Sequence, residues 1–221
     1  MCQGQAEDPE VVEHFYSLLD RILTSEGIKD MSCQIFNSDE SGFVTDPKSG
    51  IILARKGSHA VVQSIGGSGR EQISVNCCAS ASGKILPPYV VYNSVNLHKD
   101  WTTGGLKDVV YTTSNKGWME GPLYLDWFHK ILFKHTDDVK DKTRVLIFDG
   151  PASHMSLELI KAARADNIIL LRLPAHMTHW LQPQDLGVFR PVKGKWQSML
   201  FRFARTHIIL AQLAKSSFLL C

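Results

Sequence analysis

Three aspartates carry the chemical interest of this chain. Asp39 lies in the polar cluster Asn37-Ser38-Asp39-Glu40-Ser41-Gly42-Phe43, just after an apolar run. Asp149 directly follows Val145-Leu146-Ile147-Phe148, and Asp185 lies at the entry to the last expected helix. Carboxylates packed together repel and raise one another's pKa, and a bound cation removes the conflict. Hard oxygen donors with few nitrogens select Mg²⁺ or Mn²⁺. Two such ions can serve an in-line phosphoryl displacement: one activates a water or 3′-hydroxyl, the other steadies the departing oxygen, and no covalent enzyme intermediate is needed. Any one of these aspartates alone reads better as a turn residue or helix cap. It is the combination that points to metal-dependent chemistry on phosphate esters.

Their neighbours take supporting roles. In a strand Glu40 points away from Asp39, which makes it a supporting or turn residue before a direct ligand. His154, five residues beyond Asp149, could reach a scissile phosphate or equally cap the next helix. His176 and His179 are bracketed by Pro174 and Pro183, and no cysteine lies nearby to complete a zinc site. They are expected to orient the loop that presents Asp185, which Gln182 and Pro183 help to shape. Of the five tryptophans, Trp180 is the candidate for DNA contact. Gly66-Gly67-Ser68-Gly69 lacks the lysine and following helix of a phosphate loop, so no small-molecule cofactor is expected.

The elements that must position these residues follow from spacing. Asp8 and Pro9 open a helix over residues 8–24 with Val11, Phe15, Leu18, Leu19, Ile22 and Leu23 on one face. Cys33 to Asn37 is expected as a strand that delivers Asp39 and Glu40 at its end, before a turn at Gly42. Further strands are expected at 58–65 and 72–79, with a glycine turn at 66–69 between them. Pro87 and Pro88 keep 85–92 extended, completing an antiparallel meander. Residues 93–121 read as irregular, and Pro122 opens a helix to about His135 with Leu123, Trp127, Ile131 and Leu132 as its apolar stripe. Val145 to Phe148 is a continuous apolar run, as in a strand buried on both faces. A helix at 155–165, a strand at 168–173 and a helix from about Leu186 or Phe189 to Thr206 follow. Three strands, helix, strand, helix, strand, helix is an RNase H-like α/β order, with a mixed central sheet and helices on both faces. In it the first and fourth strands lie side by side and parallel, so Asp39 and Asp149 become neighbours across 109 intervening residues.

Composition sets the boundaries. A chain of 221 residues suits one α/β domain. Its net charge of +2 conceals an asymmetry: residues 1–50 hold ten acidic and three basic residues, whereas 186–221 hold six basic residues and no acidic one. Lys193, Lys195, Arg202 and Arg205 in that segment suit the backbone of a polyanion, or simply a solvated helix face. The five cysteines are odd in number and lack metal-finger spacing, which fits a reduced, intracellular protein. The polar, acidic start is no signal peptide, and no apolar stretch is long enough to span a membrane.

Four segments carry a resemblance to a known family: Asn37 to Phe43; Cys78-Ala79-Ser80-Ala81-Ser82-Gly83-Lys84-Ile85-Leu86-Pro87-Pro88; Phe148-Asp149-Gly150-Pro151-Ala152-Ser153-His154; and the long run from Leu173 to Phe189. With Gly117-Trp118-Met119 they resemble the DDE endonuclease domain of pogo/Tigger-type transposases of the mariner superfamily, related to jerky-like and centromere-binding protein B-like proteins. The resemblance implies an RNase H-like fold, Mg²⁺-dependent DNA strand cleavage and transfer, a nuclear setting, and dimers or larger assemblies on DNA. It carries the family's three catalytic aspartates onto Asp39, Asp149 and Asp185. The expected layout is a helical lead-in at 1–30, the catalytic domain at 31–206 and a divergent tail at 207–221. The paired helix-turn-helix modules usual in the family are not expected in this chain. A domesticated domain that binds DNA or protein without turnover is the alternative. A generic RNase H-like ribonuclease fits the fold but not the third-aspartate segment.

Overall fold

The computed structural model describes residues 9–45, 72–150, 155–175 and 181–218, with side chains described through residue 206. Strands β1 (Ile35–Val44), β2 (Gln72–Ser80), β3 (Tyr89–Asn93), β4 (Val110–Ser114), β5 (Arg144–Phe148) and β6 (Ile168–Arg172) form one sheet in the order β4-β3-β2-β1-β5-β6. β1, β2 and β3 run antiparallel to their neighbours in turn, whereas β3–β4, β1–β5 and β5–β6 pair in parallel. The helices are α1 (Pro9–Ser25), α2 (Gly121–Trp127, prolonged by a π-helical turn, Phe128–Phe133), α3 (Leu157–Ala165) and α4 (Arg190–Phe218, entered through a π-helical turn, Asp185–Phe189). This is the expected α/β, RNase H-like arrangement.

The apolar patterns explain the layers. Trp127, Ile131 and Leu132, from the apolar stripe expected for the helix that Pro122 opens, seal one sheet face together with Leu159 and Ala163 of α3 and the strand residues Phe36, Cys78, Tyr89, Val91, Leu146 and Phe148, with Leu123 packed against them. On the other face Phe15 of α1 is buried with Val145 and Leu171, and Leu18, Leu19, Ile22 and Leu23 pack around them. Val11 does not join this core and is 38% exposed. Phe43 meets Phe189 and Trp196 edge to face at 6.4 and 6.1 Å, which seats the start of α4 against the end of β1. Arg144, 1% exposed, is held by Thr136 and by the Asp166 carboxylate at 2.6 Å, fixing where β5 begins.

Several boundaries differ from expectation. β1 does not turn at Gly42 but runs on to Val44, because β2 pairs with it continuously from Phe36↔Ser80 to Val44↔Gln72. The ladder outweighs the local turn signal of a glycine. The stretch 93–121 is not wholly irregular: Val110–Ser114 forms the edge strand β4, parallel to β3. All five of its residues are half-buried, so it offers no alternation to read. The expected meander holds for β1, β2 and β3, which pair antiparallel in turn, and β4 is added to it in parallel. Helix α3 starts at Leu157, where Ser156 caps it by accepting from the Leu159 amide at 3.1 Å. The last helix continues past Thr206 to Phe218. The Asp8 cap, the strand at 58–65 and the glycine turn at 66–69 lie outside the described residues.

Candidate active site

Strand alternation places Asn37, Asp39, Ser41 and Phe43 on one face of β1. The parallel ladder between β1 and β5 runs from Ile35↔Val145 to Ser38↔Phe148 and stops there. Asp39 and Asp149 are the next residue on each chain. Asp39 therefore does not end its own strand, as the sequence suggested. It sits mid-strand, where β5 ends beside it while β2 continues. That split leaves two carboxylates side by side at the carboxyl end of parallel strands, where ligands gather in open α/β sheets.

The third aspartate arrives through a set of buried amides. Gln182 and Gln184 are only 1% and 3% exposed. Gln182 Nε2 donates to the Ser38 carbonyl at 3.3 Å, and Gln184 Nε2 to the Asn37 carbonyl at 3.0 Å. Asn37 Nδ2 in turn donates to Ile147 O at 3.0 Å. The segment leading into Asp185 is thus bound to β1, and β1 to β5, on both sides of the split. Asn76, with its amide turned to satisfy both ends, donates to the Asp39 carbonyl at 2.7 Å and accepts from Trp127 Nε1 at 3.3 Å.

Electrostatics report the convergence. Burial first, then the charge of Asp185 and more weakly that of Asp149, push the Asp39 carboxyl up to about 7. The Glu40 amide, 2.8 Å from Asp39 Oδ1, and the Gln182 side chain act the other way. Cys77 pairs across the ladder with Asp39; burial and the Asp39 charge raise its thiol to about 12, leaving it protonated and a poor ligand. The donor chemistry is that of carboxylate oxygens and suits a hard divalent cation. Among the described residues, however, no group of three or more His, Cys, Asp or Glu side chains is placed to hold a metal ion.

The other expected residues divide. Gln182 lies beside Asp39. Glu40 points to the opposite face, as alternation requires, and its Oε1 accepts from the Met119 amide at 3.0 Å, tying β1 to the β4–α2 connection. Next to it, Ser38 shares a 3.3 Å hydrogen bond with Tyr124. Lys193, Lys195, Arg202 and Arg205 are exposed along α4. His154, His176, His179 and Trp180 lie outside the described residues. Sequence reasoning missed Asn37 and Gln184. Asn37 could have been found, since it stands two residues before Asp39 on the same strand face. Gln184 carried no such local signal.

Residues 70–213 match the model of the DDE superfamily endonuclease family. The chain is 31% identical over 180 residues to the protein named MFS-type transporter clz9 of Cochliobolus lunatus, covering 79% of this chain and 19% of that protein. Among the described residues, no helix is long and apolar enough to cross a membrane. It is 23% identical over 159 residues to the human pogo transposable element with KRAB domain, covering 72% of this chain and 26% of that protein. Among solved structures, the Mos1 transposase paired-end complex with left transposon end matches with a TM-score of 0.56 at 13% identity, covering 87% of this chain and 50% of that chain. Mos1 mariner paired end complexes with Mn and with Mg match at 0.55. The chain thus spans a minor part of these curated relatives and half of the Mos1 chain. At such identity the Mos1 likeness speaks for the RNase H-like fold. The family match takes in β2 through most of α4, Asp149 and Asp185 included, and the chain belongs to the DDE superfamily endonuclease family.

Proposed function

We propose that this chain is the catalytic domain of a transposase-type DNA endonuclease and strand transferase that works in the nucleus at Asp39, Asp149 and Asp185. The observation that supports the reading best is the Asp39 carboxyl, held at about 7 by burial and by the charges of Asp185 and Asp149 where β1 and β5 part. A half-buried carboxylate under repulsion is costly to keep without a cation.

Two Mg²⁺ or Mn²⁺ ions, held by the three aspartates, would lower the pKa of the attacking water or 3′-hydroxyl and neutralise charge on the departing oxygen. The chain's own part is positioning. Gln182 and Gln184 fix the Asp185 segment to the backbone just before Asp39. Asn37 fixes that backbone to β5. Lys193, Lys195, Arg202 and Arg205 hold DNA phosphates without reading sequence, with an affinity that falls steeply in salt. DNA is the partner of this reading, and a homodimer its working assembly.

The test is nicking of supercoiled plasmid in Mg²⁺ or Mn²⁺ by the parent and by Asp149→Ala. The parent is expected to nick, and the variant to lose at least about a thousand-fold. A folded parent that leaves the plasmid intact with metal supplied refutes the nuclease and leaves a domesticated binding domain.

A further inference from the structure

A second feature lies on the Asp39 face of the sheet, farther along it. Phe43 pairs with Ile73, and Ile73 with Tyr92, so these side chains share the face of Asp39. Tyr92 stacks on Tyr111 with ring centres 6.4 Å apart. Trp101 lies against Tyr92 at 4.8 Å and against His98 at 4.5 Å. The Tyr92 hydroxyl donates to the Trp101 carbonyl at 3.1 Å and so fixes the backbone that carries the indole. The indole itself remains 40% exposed. Between these rings and the end of β1 is an open cavity of about 320 Å³, lined by Thr45, Gln72, Ile73, Tyr92, Asn93 and Trp101.

We infer that this cavity is a stacking site for an unpaired nucleobase of the DNA strand held at the candidate active site; the inference rests on the nuclease reading for the identity of its ligand. Aromatic walls suit a flat π system, and base–aromatic stacking tolerates any sequence. The volume lies at the small end for ligand pockets, on the scale of one nucleotide and far below that of a duplex. The charge is right for the attached phosphates. Trp196 Nε1 donates to the Val44 carbonyl at 2.7 Å, so α4 passes beside Thr45 with Lys193 and Lys195 exposed within a turn of Trp196. Thr45 is about 20 Å along β1 from Asp39 at ordinary strand rise, a few nucleotides from the reacting bond.

The experiment uses the whole chain in EDTA, which separates stacking from metal-dependent cleavage. The probes are a short fluorescein-labelled oligothymidylate, the same sequence as a duplex, and an oligonucleotide carrying the fluorescent base 2-aminopurine. The parent is expected to prefer the single strand and to quench the aminopurine. Trp101→Leu should weaken single-strand binding about ten-fold and abolish the quench, while Trp101→Phe restores both. A parent that prefers duplex, or a Trp101→Leu variant that melts and binds as the parent does, overturns the inference. Plasmid nicking by the parent is read separately. Trp101-dependent quenching without nicking supports the base site and refutes the nuclease; nicking by the parent with quenching untouched in Trp101→Leu does the reverse.

Discussion

The two faces of the sheet are built on different terms. One is closed: α2 and α3 cover it with a continuous core in which Trp127, Phe128 and Ile131 are fully buried. The other is covered in part, by α1 over β5 and β6 and by the start of α4 over the end of β1. Asp39 and the Tyr92–Trp101 cavity both lie on this second face. Even neighbouring residues on β1 obey the division, since Glu40 turns to the closed side and is consumed in a backbone hydrogen bond, while Asp39 turns to the open side and keeps its charge problem. The closed face supplies rigidity, and the open face carries both the candidate active site and the aromatic cavity.

The contrast can be attacked from each side. The largest effect belongs to Trp127→Ala, which should cost about 3–5 kcal/mol by urea denaturation through the cavity it leaves. A loss below about 1 kcal/mol would mean that the closed face is not the scaffold. Asp39 comes next. Its carboxyl is raised from 3.8 to about 7, so the folded state holds the proton more tightly than the unfolded chain does. The resulting stability is complete below pH 4 and is lost as pH rises through 7. In EDTA the parent should therefore lose about 2–4 kcal/mol between pH 4 and 8, and Asp39→Asn should flatten that profile. Thermal melts across this range, with and without Mn²⁺, check it; metal should restore the parent above pH 7 and leave the variant unchanged. The smallest effect is that of Lys195→Ala, an exposed α4 residue. Stability should move by less than about 0.5 kcal/mol. The slope of log affinity for DNA against log salt should shrink by about one.

Much of this was legible in the chain. Continuous apolar runs marked β5 and β6, and helical spacing marked α1 and α2, because burial on one or both faces leaves a pattern. The aspartates at Asp39 and Asp149 became neighbours once a parallel pairing of their strands was assumed, and β1 and β5 do pair in parallel. What the pattern could not carry was set by partners far away in sequence. Gly42 reads locally as a turn, and only the ladder to β2 makes it strand. Val110 to Ser114 is a uniformly half-buried edge, defined by its pairing with β3 and by no periodicity of its own. Gln184 reads as one more polar loop residue until its amide is found 3.0 Å from the Asn37 carbonyl.

That last contact has a consequence for how the protein is made. The hydrogen bonds from Gln182 and Gln184 to β1 join residues 144 and 147 positions apart, among the longest sequence separations in the molecule. During synthesis β1 and β2 can pair early, whereas β5 must wait for the chain to reach Phe148, and the glutamine bonds wait longer still. Such long-range closures are slow, because the entropy of the intervening chain opposes them. A ribosome paused before residue 181 carries Asp39 and Asp149 but neither glutamine nor Asp185. Assembly of the three carboxylates is thus timed to the end of the domain's translation, and a prematurely terminated product is built without them all.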